Sequence, residues 1–154
     1  ARAVHREHGF TLPLGDTLLT GVVDLLARER GGAQLVVDYK TDALPADGDL
    51  AAYAEERYGV QRQVYGLAAL RGGAARVEVA HAFLERPGEP LSSVYEQADA
   101  DGLEAALLAL ARGLLAGRYP VTATPHRELC LTCPGRRALC SYDEERTLRP
   151  HAAT

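Results

Sequence analysis

Two short apolar stretches, TLLTGVVDLLAR at 17–28 and QLVVDYK at 34–40, decide the fold. Both are rich in Leu and Val and flank the turn-like ERGGA at 29–33, so they read as a β-hairpin. A turn centred near Gly31 pairs residues whose numbers sum to about 62, which brings Asp24 opposite Asp38. Like charges facing each other in a sheet repel, so the arrangement makes physical sense mainly with a cation between them. Hard oxygen ligands suggest Mg²⁺ or Mn²⁺. Side chains two apart share a strand face: Lys40 projects beside Asp38, while Tyr39 points the other way, into the packing. Two carboxylates, a metal and an ammonium suit phosphodiester hydrolysis, in which the metal polarises a phosphoryl oxygen and activates water and the ammonium steadies developing charge. The D-x-K pattern alone is short and equally describes carboxylates on a solvated strand with an ordinary cation partner.

Outward from the hairpin, an earlier strand is expected around Phe10–Leu14. Helical spacing runs from Asp49 to Leu70, with Val60, Val64 and Leu67 on one face and Gly72-Gly73 as the stop. Residues 75–86 read as a strand ended by Pro87-Gly88, and SSVYEQ at 92–97 as a shorter one. A second helix spans roughly 101–115, with Asp99 or Asp101 able to cap its start and Gly117 just past its end. The tail from Arg118 is expected to be irregular. This order implies an α/β fold with a mixed sheet flanked by helices. We expect a core over 1–125 and a cysteine-containing tail at 126–142.

A chain of 154 residues, 47% hydrophobic and 25% charged, suits one globular domain rather than a disordered tail. No apolar run reaches membrane-spanning length, and Arg2, His5, Arg6 and Glu7 stand where a signal peptide would be apolar. A cytoplasmic location is expected, with no membrane partner. The opening residue is Ala and no Met occurs, so a piece of a longer polypeptide is expected. The net charge of -4 argues against a general polyanion-binding surface. Arginine is used throughout and Lys40 is the only lysine, as if that position required an ammonium.

The ordered motifs GVVD (21–24), LVVDYKTD (35–42) and QRQVY (61–65) resemble successive motifs of RecB-type nucleases. ERYGVQRQVYGLAAL at 56–70 resembles the helix that follows the D-Y-K strand in RecB and AddA. The resemblance spans essentially the whole chain. It implies the PD-(D/E)XK (restriction-endonuclease-like) core and places the chain with the C-terminal nuclease domains of RecB, AddA and AddB, which are linked to UvrD-like helicases. It implies Asp24 and Asp38 as metal ligands with the Tyr39 carbonyl, Lys40 as the catalytic lysine, and Gln61 and Tyr65 as the Q-x-x-x-Y pair. Being four apart, Gln61 and Tyr65 share a helix face; the alternative is a buried packing pair. Such enzymes commonly add a metal-binding His from a helix before the first strand. This sequence lacks that N-terminal helical part, so a metal half-site is expected, and a fragment weak or inactive by itself. His5 and His8 do not match that helix and read as solvated, while Glu7 resembles a glutamate that often precedes the first strand. The implied activity is that of a Mg-dependent deoxyribonuclease in DNA double-strand-break processing. Its partners would be DNA, mainly single-stranded, covalently linked helicase domains and a second helicase-nuclease subunit. A catalytically silent DNA-binding or scaffold module of the same fold is the alternative.

Cys130, Cys133 and Cys140 form C-x-x-C-P-G-x-x-x-x-C, a spacing that favours a metal over a disulfide. A similar triplet in AddB and in CRISPR-associated adaptation nucleases joins an upstream cysteine around a [4Fe-4S] cluster, and that is the cofactor the resemblance implies. Without it, His126 is spaced to complete a Cys₃His site for Zn²⁺. Arg57, Arg62, Arg71 and Arg76 are candidate DNA-backbone contacts, or else a charged face paired with Glu55 and Glu56.

Overall fold

The computed structural model describes residues 3–44 and 49–150. Ala1 and Arg2, part of the N-terminal reading above, lie outside the described residues. Five strands form one sheet in sequence order: β1 (Ala3–Leu14), β2 (Thr17–Arg28), β3 (Ala33–Lys40), β4 (Arg76–Phe83) and β5 (Leu91–Glu96). The first three meander antiparallel, β3 and β4 run parallel across helix α1 (Leu50–Arg71), and β5 returns antiparallel. A parallel pair needs a long crossover, and α1 supplies it. The expected mixed sheet flanked by helices is therefore what the chain builds. The first strand is longer than expected, taking in His5 and His8.

Local chemistry sets the boundaries. Between β2 and β3 a 3-10 turn at Arg30–Gly32 holds Gly31 and Gly32 at φ of 72° and 80°, a region costly for any residue with a Cβ. The Asp49 carboxylate accepts from the Ala51 and Ala52 amides to start α1, and Gly72 follows its last turn. Helix α2 (Ala100–Leu115) starts differently from expectation: Asp99 accepts from the Glu96 amide in a capping box around the preceding 3-10 turn instead of capping the helix itself.

The chain forms two compact units, one ending at Arg112 and one beginning at Gly113. In the first, Leu12, Val23, Leu26 and Val36 of the meander join Leu67 and Leu70 of α1, Val77 and Val79 of β4, and Ala100 and Leu107 of α2 in one apolar cluster. A smaller cluster gathers Leu50, Ala54 and Phe83 with Tyr53 and Tyr58 around it. The face of α1 that the spacing suggested turns inward in part: Leu67 is fully buried and Val64 packs against the apolar cluster. Val60, on the same side of the helix two turns before Leu67, is 53% exposed, while Arg62, Tyr65 and Gly66 form a further buried arc. On that arc Gly66 lets α1 approach the sheet, since a Cβ there would lie 2.6 Å from the Tyr95 ring. Gly66→Ala is expected to destabilise by about 1 kcal/mol in urea unfolding, overpacking outweighing the helix propensity gained. Among the described residues no helix is long and apolar enough to cross a membrane.

Candidate active site

Alternation along β3 sends Val36, Asp38 and Lys40 toward α1, where all three are buried. Asp38 and Lys40 form an ion pair, Nζ to Oδ2 2.5 Å. From the helix, Gln61 Oε1 accepts from Lys40 Nζ at 2.6 Å, and Gln61 Nε2 donates to the Tyr65 hydroxyl at 2.9 Å. That hydroxyl is in turn 3.3 Å from Asp38 Oδ1 and from the Val22 carbonyl. The four side chains close a ring: Asp38, Lys40, Gln61, Tyr65 and back to Asp38. Burial, with Asp38 beside it, pushes the Tyr65 phenol up to about 12, so it stays a proton donor at neutral pH. Tyr65 is thus buried and Gln61 half-buried, and they bond the very groups that the hairpin aligns.

Asp24 reaches the site by a distortion that strict alternation does not anticipate. Leu25 pairs with Val37 and Leu26 with Val36, the register expected of a turn at Gly31, but the ladder stops one residue short of Asp24. On the other side, Arg6 pairs with Leu25 and His8 with Val23, leaving Glu7 and Asp24 outside the ladder. Glu7 has φ of 48°, a conformation that costs a non-glycine residue about 1–2 kcal/mol. Val23 and Leu26, three apart, are 4% and 5% exposed, so β2 turns over between them. Freed from both neighbours, the Asp24 carboxylate accepts from the Tyr39 amide at 2.8 Å, which ties β2 to the D-Y-K segment by a side chain where backbone pairing lapses. Tyr39 itself projects away from Asp38 as expected, yet is exposed rather than packed, because α1 covers the Asp38 face.

The donor set fits a hard divalent cation. Asp38 Oδ2 is buried and accepts no hydrogen bond, its compensation being the Lys40 charge, and Asp24 has an oxygen beyond the one bonded to Tyr39. Asp24, Asp38 and a nearby backbone carbonyl are the groups able to hold it. A cleft of about 260 Å³ beside β1, lined by His8, Phe10, Val23 and Tyr65, includes none of Asp24, Asp38 and Lys40.

The sequence matches the PD-(D/E)XK nuclease superfamily over residues 1–141. The chain belongs to this superfamily. Among solved structures it is similar to that of SSO0001 (17% identity, TM-score 0.48), covering 86% of this chain and 61% of that one. It is also similar to a protein named "Putative exonuclease" from Eubacterium rectale (15% identity, TM-score 0.47), covering 91% of this chain and 53% of that one. The chain thus spans less than two thirds of the length of each. No curated protein matches it.

Two residues that the sequence reading did not single out, His81 and Tyr58, pack against this cluster. His81 of β4 stands in register with Asp38 and is fully buried, with neither ring nitrogen hydrogen-bonded. Desolvation first, then the Lys40 charge, lower its pKa to about 4, so it is neutral. Tyr58 lies under Lys40, and its hydroxyl is bonded to Asp42. The available signal was a lone imidazole in the apolar run VEVAHAF, on a strand parallel to the one carrying Asp38.

The four arginines considered for DNA contact are engaged within the chain. Arg62 is buried and bonded to Glu55, Arg71 bridges Asp101 and Glu104, Arg57 faces Asp42, and Arg76 pairs with Glu96. Paired charges are the reading the geometry favours. His5 is exposed, its ring against that of His8.

In the second unit, short helices α3 (Arg127–Cys130) and α4 (Glu144–Leu148) interrupt the tail expected to be irregular. Cys130 is buried, Cys133 exposed and Cys140 half-buried, all as free thiols. The Cys133 amide donates to the Cys130 carbonyl, and Cys140 Sγ accepts from the Tyr142 amide at 3.4 Å. Among the described residues no three His, Cys, Asp or Glu side chains are placed to hold a metal.

Proposed function

We propose that this chain is the metal-dependent deoxyribonuclease domain of a helicase-nuclease, hydrolysing single-stranded DNA during double-strand-break processing. The observation that carries the reading is the closed ring of Asp38, Lys40, Gln61 and Tyr65 with Asp24 tied to its edge through Tyr39. Burying the Asp38 carboxylate and the Lys40 ammonium together is costly for stability alone and useful for phosphoryl chemistry. Mg²⁺ or Mn²⁺, held by Asp24 and Asp38 with the Tyr39 carbonyl, would supply Lewis-acid polarisation of a phosphoryl oxygen and a more acidic water.

This chain's residues then do the orienting. Gln61 accepts one of the three Lys40 N–H donors and the Asp38 charge holds the ammonium in place, which leaves an N–H for the attacking water or a non-bridging phosphate oxygen. Tyr65 steadies Asp38 Oδ1, keeping Oδ2 on the Lys40 side. Water adds its OH to phosphorus, the P–O bond to one sugar oxygen breaks, and that oxygen leaves as a hydroxyl carrying the water's other proton, passed through solvent. The link to UvrD-like helicase domains and a [4Fe-4S] cluster on Cys130, Cys133 and Cys140, with Zn²⁺ through His126 as the alternative, belong to the same proposal. Both rest on the motif resemblance. Visible absorption of anaerobically purified protein separates the two metals.

The test is digestion of single-stranded DNA with Mg²⁺ or Mn²⁺, which a chelator should abolish. Tyr65→Phe should slow it about tenfold, the value of one buried hydrogen bond, with little unfolding, because the ring keeps its edge contact with Phe10. No metal-dependent digestion by the full-length protein would sink the reading and leave the silent module.

A further inference from the structure

Resting on that reading of Lys40, we infer that Tyr58 is a positioning residue whose ring face seats the Lys40 ammonium. Tyr58, Gln61 and Tyr65 are spaced three and four apart on α1, so they form one stripe over β3. Gln61 and Tyr65 meet the site through polar atoms; Tyr58 meets it through its π face, with Lys40 Nζ 4.0 Å from the ring centroid. A cation over an aromatic face is held electrostatically, and more firmly where water is excluded, as it is around the buried Lys40. The ammonium thus has three fixed neighbours: Asp38 Oδ2, Gln61 Oε1 and the Tyr58 face.

The ring is itself immobilised. Its hydroxyl is bonded to Asp42, which also faces Arg57 Nε at 3.6 Å. His81 meets the ring edge-on at a centroid distance of 5.3 Å, and Phe83 and Tyr53 close the remaining sides at 6.2 and 6.5 Å. A fully buried imidazole bonded through neither nitrogen contributes shape here, as a wall behind Tyr58. A lysine side chain has many rotamers, and this cage leaves it one direction in which to present its remaining N–H.

The chain offers an unusual readout, because Lys40 is its only lysine and Lys labelled with ¹³C at Cε gives a single resonance. In the wild-type chain and in Tyr58→Phe, the attached protons should lie upfield of free lysine through the ring current; in Tyr58→Leu they should return toward it. Turnover on single-stranded DNA should fall about tenfold in Tyr58→Leu with KM unchanged, and be restored by Tyr58→Phe. A free-lysine position in the wild-type chain overturns the inference whether or not any variant folds. So does a folded Tyr58→Leu with full turnover, or a Tyr58→Phe as impaired as Tyr58→Leu, which would assign the role to the hydroxyl and Asp42. Full activity in Lys40→Ala would instead defeat the catalytic assignment of Lys40, while the resonance of the wild-type chain would still report whether the ring seats the lysine.

Discussion

Lys40→Ala is expected to slow metal-dependent hydrolysis of single-stranded DNA by about 10²–10³-fold, the usual loss when one aimed donor to a developing anion is removed. The size of the effect follows from confinement. The ammonium is held between Asp38 Oδ2 at 2.5 Å and Gln61 Oε1 at 2.6 Å, so its direction is fixed before substrate arrives. Lys40→Arg should rescue poorly despite keeping the charge, since a planar guanidinium is longer than the cage allows and presents its donors in a fork. Removing the cation also leaves Asp38 buried without a counter-charge, so urea unfolding has to accompany the rate measurement, and Lys40→Met restores most of the lost volume for comparison. Initial rates in full-length protein are the check. Turnover within twofold of wild type in a folded Lys40→Ala protein would remove Lys40 from the chemistry.

The second large effect is acid destabilisation through His81. Its pKa is lowered from 6.5 to about 4 in the folded chain, mainly because the imidazole is fully buried and secondarily because Lys40 is near. A base depressed on folding contributes stability that is complete above its unfolded pKa and is lost as pH falls toward the folded one. The window is therefore pH 6.5 down to about 4, with about 2 kcal/mol lost by pH 5 and about 3 kcal/mol in all. His81→Leu should remove this dependence. It should also tolerate neutral pH, because it replaces two buried nitrogens that accept and donate nothing with an apolar group of similar volume. Urea midpoints at pH 7 and pH 5 give the comparison: wild type should fall by much more than the variant. Equal falls would place the acid sensitivity elsewhere in the chain.

Much of the site was legible because its parts are local. Two apolar strands around ERGGA set the hairpin, the hairpin register follows from a turn at Gly31, and alternation alone puts Asp38 and Lys40 on one face. The spacing of four between Gln61 and Tyr65 likewise announces a shared helix face. What the spacing could not say is which face of α1 turns inward. Leu67 is buried as its spacing predicts, yet Val60, in phase with it, is exposed, and Arg62 and Tyr65 are buried, Tyr65 against Asp38 of β3. Long-range partners decided the other departures as well. Asp24 does not stand in the ladder opposite Asp38; its strand turns over beside the strained Glu7, a choice made jointly by β1, β2 and β3. His81 and Tyr58 enter the site only because β4 lies parallel to β3 under α1, a juxtaposition across many residues of chain that no local pattern encodes. The sequence by itself thus determined the chemical groups and their strand faces, since those follow from period and turn. The tertiary structure decided which of them meet and which charges are buried, since those depend on neighbours brought in by the crossover.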